Sequence, residues 1–173
     1  RIIKEKGLKE LLNSVELVNE IYRDVELIII GETDKKNPSN IFFYLEKMLK
    51  INKNIKYLGF TQNIKQYLEE TSCVILPSYR EGLPKSILEA MSMSRPIIVS
   101  DVPGCKDLLK NNYNGFLCLP YDVVSLKNVM IKFIDLNYED KKRMGMNSRK
   151  MIEFKYDITS VVNCYLNLIN SLK

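Results

Sequence analysis

The chain has 173 residues, of which 46% are hydrophobic and 27% charged, a composition typical of one globular domain with a sizeable core. Its formal net charge of +5 is compatible with binding to anionic small molecules or to an anionic membrane surface. The sequence contains no basic stripe with interleaved aromatic residues, so it gives no indication of nucleic-acid binding. No apolar run approaches the roughly 20 residues of a membrane-spanning helix.

Helical and strand-like segments alternate along the first half of the chain. Apolar residues at every third or fourth position indicate helices, and short apolar runs that end at glycine or proline indicate buried strands. In chain order the predicted elements are a helix over residues 7–22, a strand over 25–30, a helix that Ser39 or Asn40 caps and that runs to residue 49, a strand over 55–59, a helix over 63–70 and a strand over 74–77.

The second half continues the alternation and ends in helices. Its predicted elements are a helix that carries Glu89, a strand over 96–100, a short helix over 106–109, a strand over 116–119, and helices over 125–136, 140–154 and 158–172. Repeated alternation of apolar strands with helices favours an α/β fold with a doubly wound, Rossmann-like parallel sheet and extra C-terminal helices.

The most informative segment is residues 78–91, which leave a strand, turn through Gly82 and Pro84, and enter a helix. In a parallel sheet this position is the usual ligand crevice, and the free N–H groups of the helix favour an anion such as phosphate. Glu81 and Glu89 flank the helix start, with Glu89 roughly 7–8 Å along the axis from Pro84. Carboxylates accept pairs of hydroxyl groups, so the pattern suits a ligand that is phosphorylated and rich in hydroxyls. The alternative is that both acids only satisfy the helix dipole.

Cysteine and histidine usage narrows the chemistry further. The chain contains no histidine, which excludes Ser-His and Cys-His triads within these residues. Four scattered cysteines, at positions 73, 105, 118 and 164, form no CxxC pair, which disfavours both a zinc site and a disulfide framework. We expect them to be small buried hydrophobes in a reducing cytoplasm.

Six short motifs follow one another along nearly the whole chain. They are Arg1-x4-Lys6-Gly7, Pro77-Ser78, Glu81-x7-Glu89 followed by Ala90-Met91, Arg95-Pro96-Ile97-Ile98, Val102-Pro103-Gly104 and Asn114-Gly115-Phe116-Leu117. Together they resemble the C-terminal, donor-binding domain of GT-B fold, family 4-type retaining glycosyltransferases, in particular bacterial enzymes of surface-polysaccharide and glycan assembly. Two positions depart from the family pattern: Ser94 stands where glycine is frequent, and Asp107 where glutamate is more usual.

The resemblance implies a role for each charged residue of these motifs. Arg1 and Lys6, which would otherwise be interpreted as solvated surface cations, would neutralise the diphosphate of a nucleotide sugar, and Glu81 would contact the transferred sugar. These three are the expected catalytic residues, and Glu89 would bind the ribose hydroxyls. The other residues implied in donor binding are Gly82, Leu83, Pro84, Lys85 and Ser86 at the helix start, and Phe60, Thr61 and Asn63 beside the base.

The implied activity is transfer of a hexosyl or N-acetylhexosaminyl group, with retention of configuration, from a UDP-sugar in preference to a GDP-sugar. The implied acceptor is a glycan or lipid-linked molecule, for example a polyprenyl-linked glycan at the cytoplasmic face of the plasma membrane, and no metal or other cofactor is expected. Three alternatives remain open at this point: a non-catalytic nucleotide-sugar binding module, a sugar-nucleotide epimerase on the same fold, and a glycoside hydrolase that uses Glu81 and Glu89 as its carboxylate pair.

The ends of the chain give a further expectation. It opens at Arg1, with neither an initiator methionine nor a strand before the first helix. We therefore expect residues 1–173 to form a single donor-binding domain from a longer polypeptide, lacking a first strand and an N-terminal acceptor domain and inactive on its own. Residues 156–172 are expected to form its C-terminal helix.

Overall fold

The computed structural model describes residues 1–34 and 36–172, and it describes residues 158, 160, 161 and 164 by their backbone alone. Its five strands alternate with seven α-helices in this range, which confirms the α/β class. The strands are β1 Leu27–Ile30, β2 Ile55–Gly59, β3 Val74–Leu76, β4 Ile97–Ser100 and β5 Gly115–Cys118. The helices are α1 Leu8–Asn19, α2 Phe42–Ile51, α3 Ile64–Glu70, α4 Lys85–Ser92, α5 Val123–Ile134, α6 Tyr138–Lys155 and α7 Ile158–Ser171, with 3₁₀ turns at Lys4–Lys6 and Lys106–Leu108.

Every strand pair in the described residues is parallel, as predicted. Strand β1 pairs with β2, and β3, β4 and β5 form a second group with β4 at its centre. All four residues of β4 are buried, as expected for a strand covered on both faces. The hydrogen bonds thus divide the strands into two groups, where the sequence pattern predicts one sheet.

The helices lie on two sides of the strands because each has one apolar stripe. On one side Leu12, Val15 and Val18 of α1 are fully buried and belong to a cluster with Leu126 and Phe133 of α5. On the other side the buried residues of α4 pack with β4 and with part of α6. This two-sided covering is the arrangement of a doubly wound sheet.

The prediction for the start of α2 fails for Ser39 and holds only in part for Asn40. The helix begins at Phe42, and the residue at its N-cap position, Ile41, makes no capping hydrogen bond with its side chain. Ser39 instead donates its hydroxyl to the carboxylate of Glu5, at 2.6 Å, while Asn40 accepts the N–H of Phe42 at 2.7 Å. The hydroxyl of Ser39, which the local pattern assigned to the helix start, is therefore used in a long-range hydrogen bond to Glu5.

Helix α7 occupies most of the predicted C-terminal segment, from Ile158 to Ser171. Within residues 1–34 and 36–172, none of the helices combines the length and the apolar character that crossing a bilayer demands.

The turn between α4 and β4 departs from the usual backbone for its residue type. Ser94 has φ +57°, in the left-handed region that favours glycine. Gly145 of α6 packs closely against this turn: a β-carbon on residue 145 would lie 2.1 Å from the Ser94 carbonyl oxygen. The Arg95 guanidinium also donates to the Thr71 carbonyl, at 3.0 Å, so neighbours on both sides hold the turn in place.

We expect Ser94→Gly to raise the free energy of unfolding by about 0.5–1 kcal/mol, because it removes the β-carbon that disfavours a positive φ. The gain is smaller than the whole conformational cost, since glycine has more freedom in the unfolded chain. Urea denaturation measures the change. Ser94→Ala is the matched control, because it keeps the β-carbon and should gain nothing; equal stabilisation by both variants would contradict the backbone explanation.

Candidate functional site

The N-terminal turn lies directly against the end of β3. Gly7, with φ +66°, approaches the backbone of Pro77 so closely that a β-carbon on residue 7 would lie 2.0 Å from the Pro77 carbonyl oxygen. The N–H of Tyr79 donates to the Glu5 carbonyl at 2.9 Å, which ties the two segments together. A residue with a side chain at position 7 could not be accommodated without moving one of them.

This approach brings two of the predicted residues into direct contact. Lys6 Nζ lies 2.5 Å from Glu81 Oε1, and the hydroxyl of the buried Ser78 donates to the same oxygen at 2.8 Å. The side chains of Lys6 and Glu81 are only 30% and 12% exposed. A half-buried ion pair with an added hydrogen bond is less screened by solvent than a surface pair.

The loop after β4 packs against the backbone of Glu81 and Gly82. Gly104 has φ +81°, and a β-carbon there would lie 2.5 Å from the Glu81 carbonyl oxygen and 2.1 Å from that of Gly82. Asp107 accepts the N–H of Gly104 at 3.0 Å. Asp107, at the position where glutamate is more usual, thus stabilises the turn that packs against Glu81 and Gly82.

A cleft of about 620 Å³ opens beside this ion pair. It contains four predicted site residues, Arg1, Lys6, Glu81 and Gly82, and its other lining residues are Ile3, Glu5, Asn37, Ser39 and Arg80. The predicted cations and the first predicted acid therefore share one cavity, as the sequence reasoning requires.

Arg80 and Glu5 are cleft residues to which the sequence pattern assigned no role. The hydrogen bond from Ser39 is the main reason that the pKa of Glu5 is lowered, and the positive charge of Arg80 acts in the same direction. The other carboxylate oxygen of Glu5 is buried and accepts no hydrogen bond within the described part of the chain. Arg80 is adjacent to Glu81 in the sequence and Glu5 to Lys6, and this adjacency was the only sequence signal that could have placed them in the cleft.

The predicted residues around the start of α4 lie outside the lining of this cleft. Pro84 is the N-cap in an extended conformation, and Lys85 and Ser86 are exposed in the first turn. Glu89 lies one turn further, with its carboxylate 3.8 Å from Lys85 Nζ. Leu83 is half exposed at the tip of the turn that links Glu81 to the helix. The structure thus separates Glu81, inside the cleft, from Glu89, on the adjoining helix.

The loop predicted to face a base follows β2. Phe60 is exposed there, and Thr61 accepts the N–H of Asn63 at 3.1 Å. The side chain of Asn63 donates to Gln66 at 2.9 Å, which fixes the loop to the first turn of α3. None of these residues lines the cleft. They lie at the carboxyl end of a parallel strand, where ligand loops of α/β folds are found.

Cys105 and Cys118 are buried, as predicted, and Cys73 is partly buried; these three described cysteines are free thiols. Burial raises the pKa of Cys105 to about 12 and that of Cys118 to about 11, and it also raises the pKa of Cys73. The side chain of Cys164 lies outside the described residues. Among the described residues, no cluster of three or more cysteine, aspartate or glutamate side chains is placed to hold a metal ion.

Comparison with known proteins gives one family. Residues 1–151 match the family described as glycosyl transferases group 1. An uncharacterized glycosyltransferase of Haemophilus influenzae is 33% identical over 162 residues, covering 91% of this chain and 43% of that protein. The UDP-Gal:alpha-D-GlcNAc-diphosphoundecaprenol alpha-1,3-galactosyltransferase of Escherichia coli is 32% identical over 147 residues, covering 84% of this chain and 36% of that protein.

A solved structure shows the same fold. The crystal structure of HepE from Anabaena in complex with UDP matches with a TM-score of 0.89 at 20% identity, covering 99% of this chain and 47% of that one. The chain thus spans less than half the length of each of these relatives. Its fold corresponds to the C-terminal half of GT-B glycosyltransferase structures.

Gly104→Ala should lower the free energy of unfolding by about 2–4 kcal/mol, because the new β-carbon combines a disfavoured φ with a clash against the Glu81–Gly82 backbone. Thermal and urea denaturation measure the loss. Gly59 provides the matched control, since it also has a positive φ but no atom within 4 Å of an added β-carbon. Gly59→Ala should cost about 1 kcal/mol, and equal losses in both variants would show that the contact at Gly104 contributes nothing.

Proposed function

Because the chain belongs to the glycosyl transferases group 1 family, we propose that it is the donor-binding domain of a glycosyltransferase. The reaction is transfer of a sugar from a nucleotide diphosphate sugar, with retention of configuration, to a glycan or lipid-linked acceptor. The observation that carries this proposal is the half-buried contact of Lys6 with Glu81 in a cleft that also contains Arg1. An anion-binding cation and a hydroxyl-binding carboxylate lie side by side, as adjacent phosphate and sugar groups require.

Arg1 and Lys6 act on the leaving group. As the bond between the anomeric carbon and the phosphate oxygen breaks, negative charge grows on the diphosphate, and preorganised cations stabilise that charge. The two cations take the place of a divalent metal ion in this role. The leaving phosphate itself accepts the proton of the acceptor hydroxyl as the new glycosidic bond forms on the same face, so this domain need not supply a base.

Glu81 positions the transferred sugar. Its carboxylate already accepts hydrogen bonds from Lys6 and Ser78, which keeps it oriented toward the cleft. Glu89 does not line the cleft that contains Glu81, which disfavours the glycoside hydrolase alternative, because its two carboxyl groups must flank the same glycosidic bond.

The nucleotide extends from the cleft to the start of α4. The turn through Gly82, Leu83 and Pro84 leads to the exposed first turn, where the N–H groups of Lys85 and Ser86 face a phosphate. Glu89, one turn further, accepts the ribose hydroxyls. The base lies against the exposed loop after β2. Its contacts are Phe60, Thr61 and Asn63, partly through main-chain groups.

The donor and acceptor classes follow from the relatives. HepE binds UDP, and the Escherichia coli relative is named for a UDP-sugar donor and a diphosphoundecaprenol-linked acceptor. We therefore propose a UDP-sugar donor that supplies a hexosyl or N-acetylhexosaminyl group, and a polyprenyl-linked acceptor at the cytoplasmic face of the membrane. The chain covers less than half of these relatives, so a first strand and an N-terminal acceptor domain would be supplied by the parent polypeptide. The domain alone would bind donor without transferring the sugar.

Lys6→Ala should weaken UDP binding at least about tenfold, because a charge-assisted hydrogen bond to phosphate contributes on the order of 1.5–3 kcal/mol. Isothermal titration calorimetry measures the affinity. Lys47→Ala is the matched control: it removes the same charge from an exposed position on α2, outside the cleft, and should leave the affinity unchanged.

Loss of Lys6 also leaves the carboxylate of Glu81 without its cation, and an unpaired carboxylate repels phosphate. The double variant Lys6→Ala/Glu81→Gln separates the two effects. If Lys6 binds phosphate directly, the double variant stays weak. Recovery to wild-type affinity, or an unchanged affinity in the single variant, would contradict the assignment of Lys6.

A thermal-shift screen with UDP-, GDP- and ADP-sugars should give its largest increase in melting temperature with a UDP-sugar. Inorganic phosphate alone is the control, since it reports the anion site without base or ribose contacts. A larger shift with a GDP-sugar would overturn the choice of base but not the donor-binding role. If no nucleotide sugar raises the melting temperature beyond phosphate, the donor-binding proposal fails.

A further inference from the structure

Two strand edges in the middle of the fold have no neighbouring strand among the described residues. Within that range β1 pairs with β2 alone and β3 pairs with β4 alone, so one side of β1 and one side of β3 are open. Burial reflects this difference: the residues of β3 are only partly buried, whereas all four residues of β4 are buried. An open edge presents unpaired N–H and C=O groups, which form a template for another strand.

The hydrogen bonds of β1 show which of its groups lie on the open side. The N–H groups of Leu27 and Gly31 donate to carbonyl groups at the two ends of β2. Because successive residues of a paired strand direct their backbone groups to opposite sides, the N–H and C=O groups of Ile28 and Ile30 point to the open edge.

The same reasoning applies to β3. The N–H of Val74 donates to the carbonyl of Pro96 at the start of β4, at 3.0 Å. The backbone groups of the next residue, Ile75, therefore point to the open edge of β3.

Residues 1–7 connect the two open edges. The N–H of Ile2 donates to the carbonyl of Glu32, just beyond the end of β1, at 2.8 Å. The carbonyl of Glu5 accepts the N–H of Tyr79, just beyond the end of β3, at 2.9 Å. The segment thus begins against the open side of β1 and ends against that of β3.

The two strand groups also share one hydrophobic core. Ile29 and Ile55 of the first group belong to the same buried cluster as Ile98 and Phe116 of the second. The open edges of β1 and β3 therefore belong to a single layer of the domain.

We propose that these two open edges receive one parallel strand, formed by the residues that precede Arg1 in a longer parent polypeptide. The fold corresponds to the C-terminal half of GT-B structures, so the parent has further chain on this side. Helix α1 leads from residues 1–7 into β1, which makes it the crossover of a strand–helix–strand unit. With the added strand the order becomes β2, β1, added strand, β3, β4, β5, which is the 3-2-1-4-5-6 order of a doubly wound sheet.

The hydrogen bond from Ile2 to Glu32 sets the register of the added strand against β1. Hydrogen bonds in a parallel ladder repeat every two residues along each strand. The residue immediately before Arg1 therefore donates to the carbonyl of Ile30, and the third residue before Arg1 donates to that of Ile28. Since Arg1 lines the cleft, docking of this strand also holds a cation of the candidate site in place.

Amide hydrogen exchange tests the proposal on this chain and on a chain extended at its N-terminus by about ten residues of the parent, enough for one strand. In the extended chain the amides of Ile28, Ile30 and Ile75 should exchange at least about tenfold more slowly. The amides of Leu27 and Ile29 point toward β2 and are the matched controls, because they report any change in global stability. Slowing at Ile28, Ile30 and Ile75 that does not exceed that of the controls would overturn the proposal.

The amide of Val74, which is already paired with the β4 side, is the matched control for Ile75. Slowing at Ile28 and Ile30 without slowing at Ile75 would show that the added residues pair with β1 alone, which would contradict insertion between two edges. Protection of Ile28 that rises with protein concentration in the shorter chain would identify a second copy as the occupant and would contradict it as well.

A further measurement uses the extended chain alone and does not depend on the folding of the shorter one. A strand with neighbours on both sides has consecutive amides protected, whereas an edge strand has only alternate amides protected. We expect slow exchange at all three residues before Arg1, and fast exchange at the second of them would contradict the proposal. UDP has no part in these measurements, so their outcome is separate from the test of donor binding.

Discussion

The close backbone approach of Gly7 to the Pro77 carbonyl is the constraint on which the cleft depends. Because residue 7 has no side chain, the first turn of the chain lies against the end of β3. That contact lets Lys6 reach Glu81, 75 residues away in sequence. Without it, the first-turn cations and the acid of the loop after β3 would belong to separate surfaces, and no pair of opposite charges would face a common ligand.

The balance of charge in the cleft suits a ligand with two unlike parts. Arg1, Lys6 and Arg80 attract an anion, while Glu5 and Glu81 would repel one. The acids are compatible with anion binding because each already has a partner: Ser39 donates to Glu5, and Ser78 and Lys6 donate to Glu81. A diphosphate joined to a polyol meets both kinds of group, and the half-buried setting strengthens each contact.

The sequence predicted the elements, and the loop in which Glu81 lies, better than the contacts within the cleft. Helical and strand periodicity placed Glu81 in the loop between β3 and α4, because apolar spacing determines the local elements. The direct pairing of Lys6 with Glu81 was not foreseen, and neither was the use of Ser39 by Glu5 in place of a helix cap. Both contacts join residues far apart in the chain, and local patterns contain no information on such distances. The division of the strands into two groups was missed for the same reason.

The contact at Gly104 has a consequence for how natural variation in such proteins should be interpreted. Any side chain at this position would enter the space of the Gly82 carbonyl, whatever ligand the cleft binds. A substitution at residue 104 would be selected against because it impairs folding, whether or not it also affects ligand binding or catalysis. Invariance at this glycine among diverged descendants would therefore report steric exclusion and carry no information on ligand preference. Differences in preference would be recorded at side chains that are free to vary, such as Arg80 at the cleft wall.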